Sequence, residues 1–103
     1  MEVRIVWSEQ SERQLKDIFD YYSIEVSPRI ANKVINRILD RVSILESNPL
    51  AGTKEELLYD YPVEYRYLVE RNYKIIYWRL EDMIIIASVF DSRQNPEKIK
   101  KIV

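Results

Sequence analysis

The sequence predicts an α+β fold in which an antiparallel helical hairpin covers one face of a mainly antiparallel sheet. Three observations predict it: a strand-like segment opens the chain, two amphipathic helical patterns follow, and three strand patterns separated by short polar spacers come last. The 103 residues fit a single domain spanning residues 1–103. Apolar residues make up 47% and charged residues 32% of the chain, which is typical of a folded protein and not of a disordered one.

The first two elements are a strand and a helix. Val3–Trp7 alternates weakly and is rich in β-branched residues, so we predict a strand that joins the same sheet as the later ones. Ser8 or Ser11 then caps a helix, and Ser11 with Gln14 three residues later has the form of a capping box. The apolar face of this helix is predicted to comprise Leu15, Ile18, Phe19, Tyr22 and Val26.

A second helix is predicted to begin at Ser27-Pro28, because Ser at the N-cap and Pro at the first helical position favour a helix start. It runs to about Ser47, and Asn48-Pro49 stops it. The short connection between the helices predicts an antiparallel hairpin. Pro49–Pro62 is a long irregular connection, which we expect to be functional or mobile. The apolar stripe of the second helix is predicted to comprise Ile30, Val34, Ile38, Val42 and Leu45.

The last part of the chain predicts consecutive antiparallel strands. Arg71-Asn72 and Glu81-Asp82 are two-residue polar spacers of the kind that hairpin turns require. Met83–Phe90 is apolar almost throughout, which favours a central strand covered on both faces. With the helices on one side, we expect the other face of the sheet to be open to a partner, and Glu97–Val103 to form a short helix. The three strands are predicted at Tyr65–Glu70, Tyr73–Leu80 and Met83–Ser88.

The composition excludes several classes of function. The chain has no Cys and no His, so it lacks a disulfide, a thiolate nucleophile, and the commonest general base and metal ligand. Its one Gly excludes a glycine-rich phosphate loop, and its net charge of −1 provides no strong field for nucleic acid. We therefore expect no cofactor and no metal. The longest apolar run, Met83–Ala87, is too short to span a bilayer, and the absence of Cys fits the cytosol.

Six short motifs stand in a fixed order along nearly the whole chain. They are Leu15-X-X-Ile18-X-X-Tyr21-Tyr22, Ser27-Pro28, Leu45-X-X-X-Pro49-X-X-Gly52, Arg66-X-Leu68, the segment 73–79 (YKIIYWR) and Val89-X-X-X-Arg93-X-X-Pro96. In this order and spacing the chain resembles the toxins of the RelE/ParE superfamily of type II toxin–antitoxin modules. The resemblance implies a small cytoplasmic toxin, inactive while a cognate antitoxin wraps it with a C-terminal segment. It also implies assembly as a homodimer or a toxin–antitoxin hetero-oligomer.

The superfamily has two main activities, and the resemblance implies one of them here. One branch cuts mRNA in the ribosomal A site with basic residues and a C-terminal Tyr or His. The ParE-like branch inhibits DNA gyrase by protein–protein contact. Residues 94–103 contain neither Tyr nor His, Asp91 stands where many relatives carry His, and Gln94 stands where a second Arg often follows. We therefore favour a ParE-like toxin over an mRNA endonuclease acting at the ribosome, with a non-toxic toxin-derived binding domain as a third hypothesis.

Four basic residues on or after the predicted strands are candidates for phosphate contacts. If the protein is a nuclease, the resemblance assigns the catalytic contacts to Arg66, Lys74 and Arg93, whereas strand alternation separates Lys74 from Arg79. The alternative interpretation is scattered solubilising charge with ion pairs to nearby acids, namely Glu64, Glu70 and Asp91.

The chain is rich in Tyr, with eight of them. These side chains favour strands and cores, and they also suit a protein interface or stacking on nucleic-acid bases. The carboxylate pairs Asp91 with Glu97 and Glu55 with Glu56 are interpreted as solvated charges. The Lys98–Lys101 cluster is interpreted as cations at a helix C-terminus. We predict that the antitoxin or target contacts Tyr21, Tyr22, Tyr65, Arg66, Tyr67 and Arg93.

Overall fold

The computed structural model describes residues 3–101. It contains two α-helices, α1 (Glu9–Glu25) and α2 (Pro28–Ser43). Five strands form within these residues: β1 (Arg4–Trp7), β2 (Thr53–Lys54), β3 (Arg66–Glu70), β4 (Tyr73–Leu80) and β5 (Met83–Asp91). Short 3₁₀ helices cover Ile44–Glu46, Glu56–Leu58 and Pro96–Lys101. The predicted α+β order is therefore confirmed. Strand β2 was not predicted, and Val103, the predicted end of the last helix, lies outside the described residues.

Helix α1 starts at Ser8, whose hydroxyl accepts a hydrogen bond from the Ser11 backbone N–H at 3.1 Å. Ser11 is fully buried, and its own hydroxyl donates to the Ser8 carbonyl at 2.8 Å. The predicted capping box of Ser11 and Gln14 is wrong, because the Gln14 amide leaves the helix end for the sheet. Its Oε1 accepts hydrogen bonds from the Val89 N–H at 2.7 Å and the Ser88 hydroxyl at 3.1 Å.

Helix α2 starts as predicted. The Ser27 hydroxyl accepts a hydrogen bond from the Ile30 N–H at 3.2 Å, and Pro28 occupies the first turn. The α-helix ends at Ser43, and a 3₁₀ turn through Glu46 continues almost to the predicted end. Four residues of the predicted stripe belong to the core between the helices and the sheet: Val34 is partly buried, and Ile38, Val42 and Leu45 are buried.

The sheet has the strand order β1-β5-β4-β3-β2 within the described chain. All neighbours are antiparallel except β1, which runs parallel to β5. Strand β5 is therefore interior, as its apolar sequence predicted. Ile76 pairs with Ser88 while Tyr77 pairs with Ile86, so Ala87 is the extra residue of a β-bulge. This bulge shifts the alternation of β5, which brings Val89 to the face covered by the helices.

The main core lies between the helical hairpin and the sheet, with Ile38 and Val42 of α2 packed against Ile75 and Ile84 of the sheet. On α1 the predicted apolar face is only half-buried at best, and Val26 lies beyond the helix end and is exposed. The opposite face of the sheet is not open as expected. Its end is covered by a second, smaller core of buried residues, comprising Leu58, Ile76, Phe90 and Ile99.

The connection from Pro49 to Pro62 is fixed by side chains of the sheet at its beginning. The Tyr77 hydroxyl donates to the Pro49 carbonyl and accepts from the Gly52 N–H, both at 2.9 Å. Arg66 donates through one terminal nitrogen to the Gly52 carbonyl at 2.9 Å and the Leu50 carbonyl at 3.4 Å. A Cβ on Gly52 would lie 2.6 Å from the Tyr77 hydroxyl, so only Gly fits there. Gly52, Arg66 and Tyr77 of the sequence motifs thus stabilise the fold through these contacts.

The connection also carries a buried carboxylate. Glu55 was predicted to be a solvated charge, but it is only 5% exposed. Its carboxylate forms an ion pair with Lys74 at 2.8 Å and accepts from the Leu57 N–H at 3.3 Å. The prediction is wrong because the 3₁₀ turn lays this part of the connection over β4, where Lys74 compensates the charge. Glu56, next in the chain, is exposed as expected.

Candidate functional site

A cleft of about 560 Å³ lies between α1 and the end of β5, and we refer to it as the α1–β5 cleft. Helix α1 supplies one wall, and the last residues of β5 together with the C-terminal 3₁₀ helix supply the other. The lining residues are Gln14, Asp17, Ile18, Tyr21, Tyr73, Val89, Phe90, Asp91, Arg93, Gln94, Lys98 and Lys101.

Exposed apolar residues lie at the end of α1 and directly after it. Tyr21, which lines the cleft, is 57% exposed, and Ile24 and Val26 are 80% and 59% exposed. The Tyr21 ring packs edge to face on the Tyr22 ring, with 5.2 Å between the ring centroids. Burial, followed by the interaction with the neighbouring Tyr22 side chain, raises the pKa of Tyr73 on β4. The phenol therefore stays protonated at neutral pH.

Arg93, which follows the end of β5, is one of the cationic residues that line the cleft. Its guanidinium forms a two-point contact with Asp91, with nitrogen–oxygen distances of 2.7 Å and 3.0 Å. The Arg93 N–H also donates to the Asp91 carboxylate at 2.9 Å, which tightens the turn after the strand. Asn72, at the β3–β4 turn, donates to the same carboxylate at 3.2 Å. These interactions, the Arg93 hydrogen bond foremost, lower the pKa of Asp91 to about 2.

These groups suit binding better than proton transfer. At neutral pH Asp91 is ionised, Arg93 is positively charged and the Tyr73 phenol is protonated. A general acid or base works best when its pKa is near the working pH, and the shifts of Asp91 and Tyr73 both lead away from it. Within residues 3–101 no group of three or more acidic side chains is arranged to hold a metal ion. The cleft offers an aromatic wall and a fixed ion pair.

The three cations predicted for a nuclease do not converge. Arg66 pairs with Tyr77 across β3 and β4 and points to the helix side, where it forms an ion pair with Glu64 at 3.1 Å. Lys74 points to the opposite face, where Glu55 compensates its charge. Arg93 alone lines the α1–β5 cleft. Whether any of them contacts a partner stays a prediction.

The predicted contact tyrosines fall into two groups. Tyr21 and Tyr22 lie on α1, at or beside the cleft. Tyr65 and Tyr67 pack against the second core on the other face of the sheet. Lys74 lies over the Tyr67 ring at 4.1 Å from its centroid. The four tyrosines therefore do not share one surface patch. That they contact the same partner stays a prediction.

Sequence reasoning missed that Lys98 and Lys101 line the cleft. The two residues are three apart, and a 3₁₀ helix has three residues per turn, so both side chains project from one side. The spacing was visible in the sequence, but it indicates this arrangement only once the segment is known to be a 3₁₀ helix, as it is over Pro96–Lys101. Neither lysine belongs to the ion pairs formed among residues 3–101.

A family model described as "ParE toxin of type II toxin-antitoxin system, parDE" matches residues 5–96. The chain belongs to this family. The match spans every strand and both α-helices except the first residue of β1, Arg4, and it confirms the ParE-like branch that the sequence motifs favoured. The protein is therefore a ParE-like toxin of a type II toxin–antitoxin system.

Solved structures have the same fold. The chromosomal ParDE TA system from P. aeruginosa contains a chain similar to this one, with a TM-score of 0.73 at 21% identity, covering 87% of this chain and 96% of that one. The YoeB dimer from Staphylococcus aureus matches with a TM-score of 0.56 at 19% identity, covering 86% and 95%. No curated protein matches the sequence. Within residues 3–101, neither α-helix has the length and apolar content needed to cross a membrane.

Proposed function

We propose that this ParE family member inhibits growth by binding a protein target, DNA gyrase, and that a cognate antitoxin neutralises it by docking over the end of α1 and into the α1–β5 cleft. One observation carries the proposal: the exposed Tyr21 of α1 lines a cleft that also contains three cations. Membership of the family supports the general role, and the exposed surface and the charges of the cleft support the proposed location.

The exposed surface of α1 favours a protein partner. Tyr21, Ile24 and Val26 expose more than half of their side chains although they are apolar or aromatic. Exposed apolar surface commonly marks an interaction site, and Tyr is enriched among the residues that dominate interface energies. A partner that covers it needs an apolar face.

The charges of the cleft favour an acidic partner segment. Arg93, Lys98 and Lys101 line one side of it, whereas Asp91 and Asp17 are the acids among the lining residues. Asp91 already compensates Arg93, which leaves two exposed lysines for the partner's carboxylates. An amphipathic antitoxin tail with acidic residues beside its apolar ones matches this surface, in the manner of a helix that binds in a groove.

The separation of the basic residues favours binding of the target over RNA cleavage. Transition-state stabilisation requires charged groups aimed at one reacting centre. Arg66 and Lys74 lie on opposite faces of the sheet, and both are engaged with structural partners. The mRNA endonuclease remains the alternative hypothesis, with a non-toxic binding domain as the third.

The antitoxin site can be tested by titration of the purified toxin with the product of the adjacent reading frame. We expect Tyr21→Ala to weaken binding at least five-fold, which corresponds to about 1 kcal/mol. Leu80→Ala is the matched control, since Leu80 is also exposed but lies at the far end of β4. Tyr65→Ala and Tyr67→Ala test whether the tail also reaches the other face of the sheet. Unchanged affinity for folded Tyr21→Ala would exclude the cleft as the antitoxin site.

The target can be tested separately. Purified toxin should inhibit supercoiling by DNA gyrase and should leave translated mRNA intact in primer-extension experiments. Cuts in mRNA at the ribosomal A site, with unimpaired gyrase, would favour the endonuclease instead. Normal growth on expression without the antitoxin, together with intact antitoxin binding, would favour the non-toxic domain.

A further inference from the structure

A second concavity lies where the connection after Gly52 folds over the face of the sheet opposite the helices. Its volume is about 450 Å³. We refer to it as the tyrosine pocket. None of its lining residues belongs to the α1–β5 cleft. The lining residues are Lys54, Glu55, Glu56, Leu58, Tyr59, Tyr61, Pro62, Val63, Glu64 and Tyr65.

Three tyrosines give the pocket aromatic walls. The Tyr61 and Tyr65 rings meet edge to face, with 6.2 Å between their centroids and planes at 80°. Tyr61 is fixed from behind, because its hydroxyl donates to the Lys100 carbonyl of the C-terminal 3₁₀ helix at 3.1 Å. Tyr59 is 85% exposed, so its ring is free to close over a ligand. The negative faces of such rings attract cations.

The pocket also carries a negative charge, which would attract the same cation as the aromatic rings. Glu55 is compensated by Lys74, and Glu64 by Lys54 and Arg66. Glu56 is exposed and takes part in no ion pair among the described residues. The pocket thus presents an uncompensated carboxylate beside the tyrosine rings. A cation would satisfy both.

We propose that the tyrosine pocket binds the side chain of an arginine or lysine from a partner protein. The charged end would lie against the rings and Glu56. The aliphatic stem of the side chain would lie along the apolar wall of Pro62 and Val63, as long basic side chains do on apolar surfaces. This binding site shares no lining residue with the α1–β5 cleft. It would bind a basic side chain, whereas the cleft would bind an acidic segment.

The pocket can be tested by nuclear magnetic resonance with a short peptide as the probe. Acetyl-Gly-Arg-Gly-amide is titrated into ¹⁵N-labelled full-length protein, and the matched neutral probe is the same peptide with citrulline in place of arginine. We expect saturable shifts centred on residues 54–65 with the arginine peptide. The citrulline peptide should bind at least about five-fold more weakly, because it lacks the charge. Equal binding of the two peptides would overturn the proposal.

Variants make the test specific to the rings and the carboxylate. Tyr59→Ala and Glu56→Gln change exposed residues, and each should weaken binding of the arginine peptide about five-fold. Tyr59→Phe keeps the ring and should bind like the wild type, as should Leu80→Ala. Unchanged binding by Tyr59→Ala, or shifts centred on Arg93, would overturn the proposal. Because the probe and variants leave the α1–β5 cleft intact, such a failure would not bear on the antitoxin site.

Discussion

Removal of the Tyr77 hydroxyl is the sharpest test of how the chain fixes the connection after α2. The Tyr77 side chain is 1% exposed, and its hydroxyl makes two hydrogen bonds of 2.9 Å, from the Gly52 N–H and to the Pro49 carbonyl. Tyr77→Phe keeps the ring in the core and deletes only the oxygen. The variant therefore removes both hydrogen bonds without a large change in apolar packing.

The expected magnitude follows from the burial of the two backbone groups. Gly52 is buried, so its N–H loses its partner without access to solvent, at a cost of about 1–3 kcal/mol. Pro49 is half-buried, so its carbonyl can recover a bond to water and adds less. We expect Tyr77→Phe to lower the free energy of unfolding by about 2 kcal/mol, and the melting temperature by about 8–16 °C for a domain of this size.

Urea titration followed by tryptophan fluorescence measures the change, since the chain has two Trp. With a denaturant slope of about 1–2 kcal/mol per molar urea, the midpoint should fall by roughly 1–2 M. Tyr59→Phe is the matched control, because it removes the same oxygen from an exposed ring and should change stability by less than about 0.5 kcal/mol. If the two variants lose equal stability, the Tyr77 hydroxyl does not hold the connection.

Three further predictions concern Gly52, Glu55 and Asp91. Gly52→Ala should destabilise the protein by about 3 kcal/mol in the same urea titration, because the new Cβ would lie 2.6 Å from the Tyr77 hydroxyl and 2.8 Å from the Tyr67 backbone carbonyl. A loss below about 0.5 kcal/mol would refute this crowding. Glu55→Gln should cost about 2 kcal/mol because it leaves Lys74 largely buried without its partner, whereas Glu56→Gln should be nearly neutral, and equal losses would contradict the assignment. The pKa of Asp91 is lowered from 3.8 to about 2, so its ionised form stabilises the native state above pH 3.8, and that contribution disappears as the pH falls through about 2. Thermal unfolding between these pH values should depend less on pH in Asp91→Asn than in the wild type, and identical slopes would contradict it.

The order of elements was predictable because it rests on local patterns. Helical periodicity, the Ser27-Pro28 start and the polar spacers at Arg71-Asn72 and Glu81-Asp82 each act within a few residues. Both spacers form turns, and the first residue of each, Arg71 and Glu81, adopts a positive φ of 54° and 55°. Left-handed backbone at a two-residue turn matches the twist of a hairpin. Local chemistry therefore determined the helical hairpin and the three consecutive strands.

The candidate site was predictable only in part, because a side chain's partners are often distant in sequence. Gln14 was assigned to a capping box, yet its amide binds Val89, 75 residues away. Glu55 was expected in solvent, yet it is buried, and its charge is compensated by Lys74, 19 residues away. The sequence near Gln14 or Glu55 does not indicate whether the side chain binds a local or a distant partner, because either partner would form hydrogen bonds with the same side-chain atoms.

The sequence by itself determined the fold class, the family and the presence of Tyr21 and Arg93 as candidate contacts. Only the tertiary structure decided that these two line one cleft, while Arg66 is engaged in holding the connection at Gly52. The physical reason is that periodicity specifies which face of an element is apolar. It does not specify which distant element covers that face, and this pairing decides which charges are compensated and which remain available to a partner.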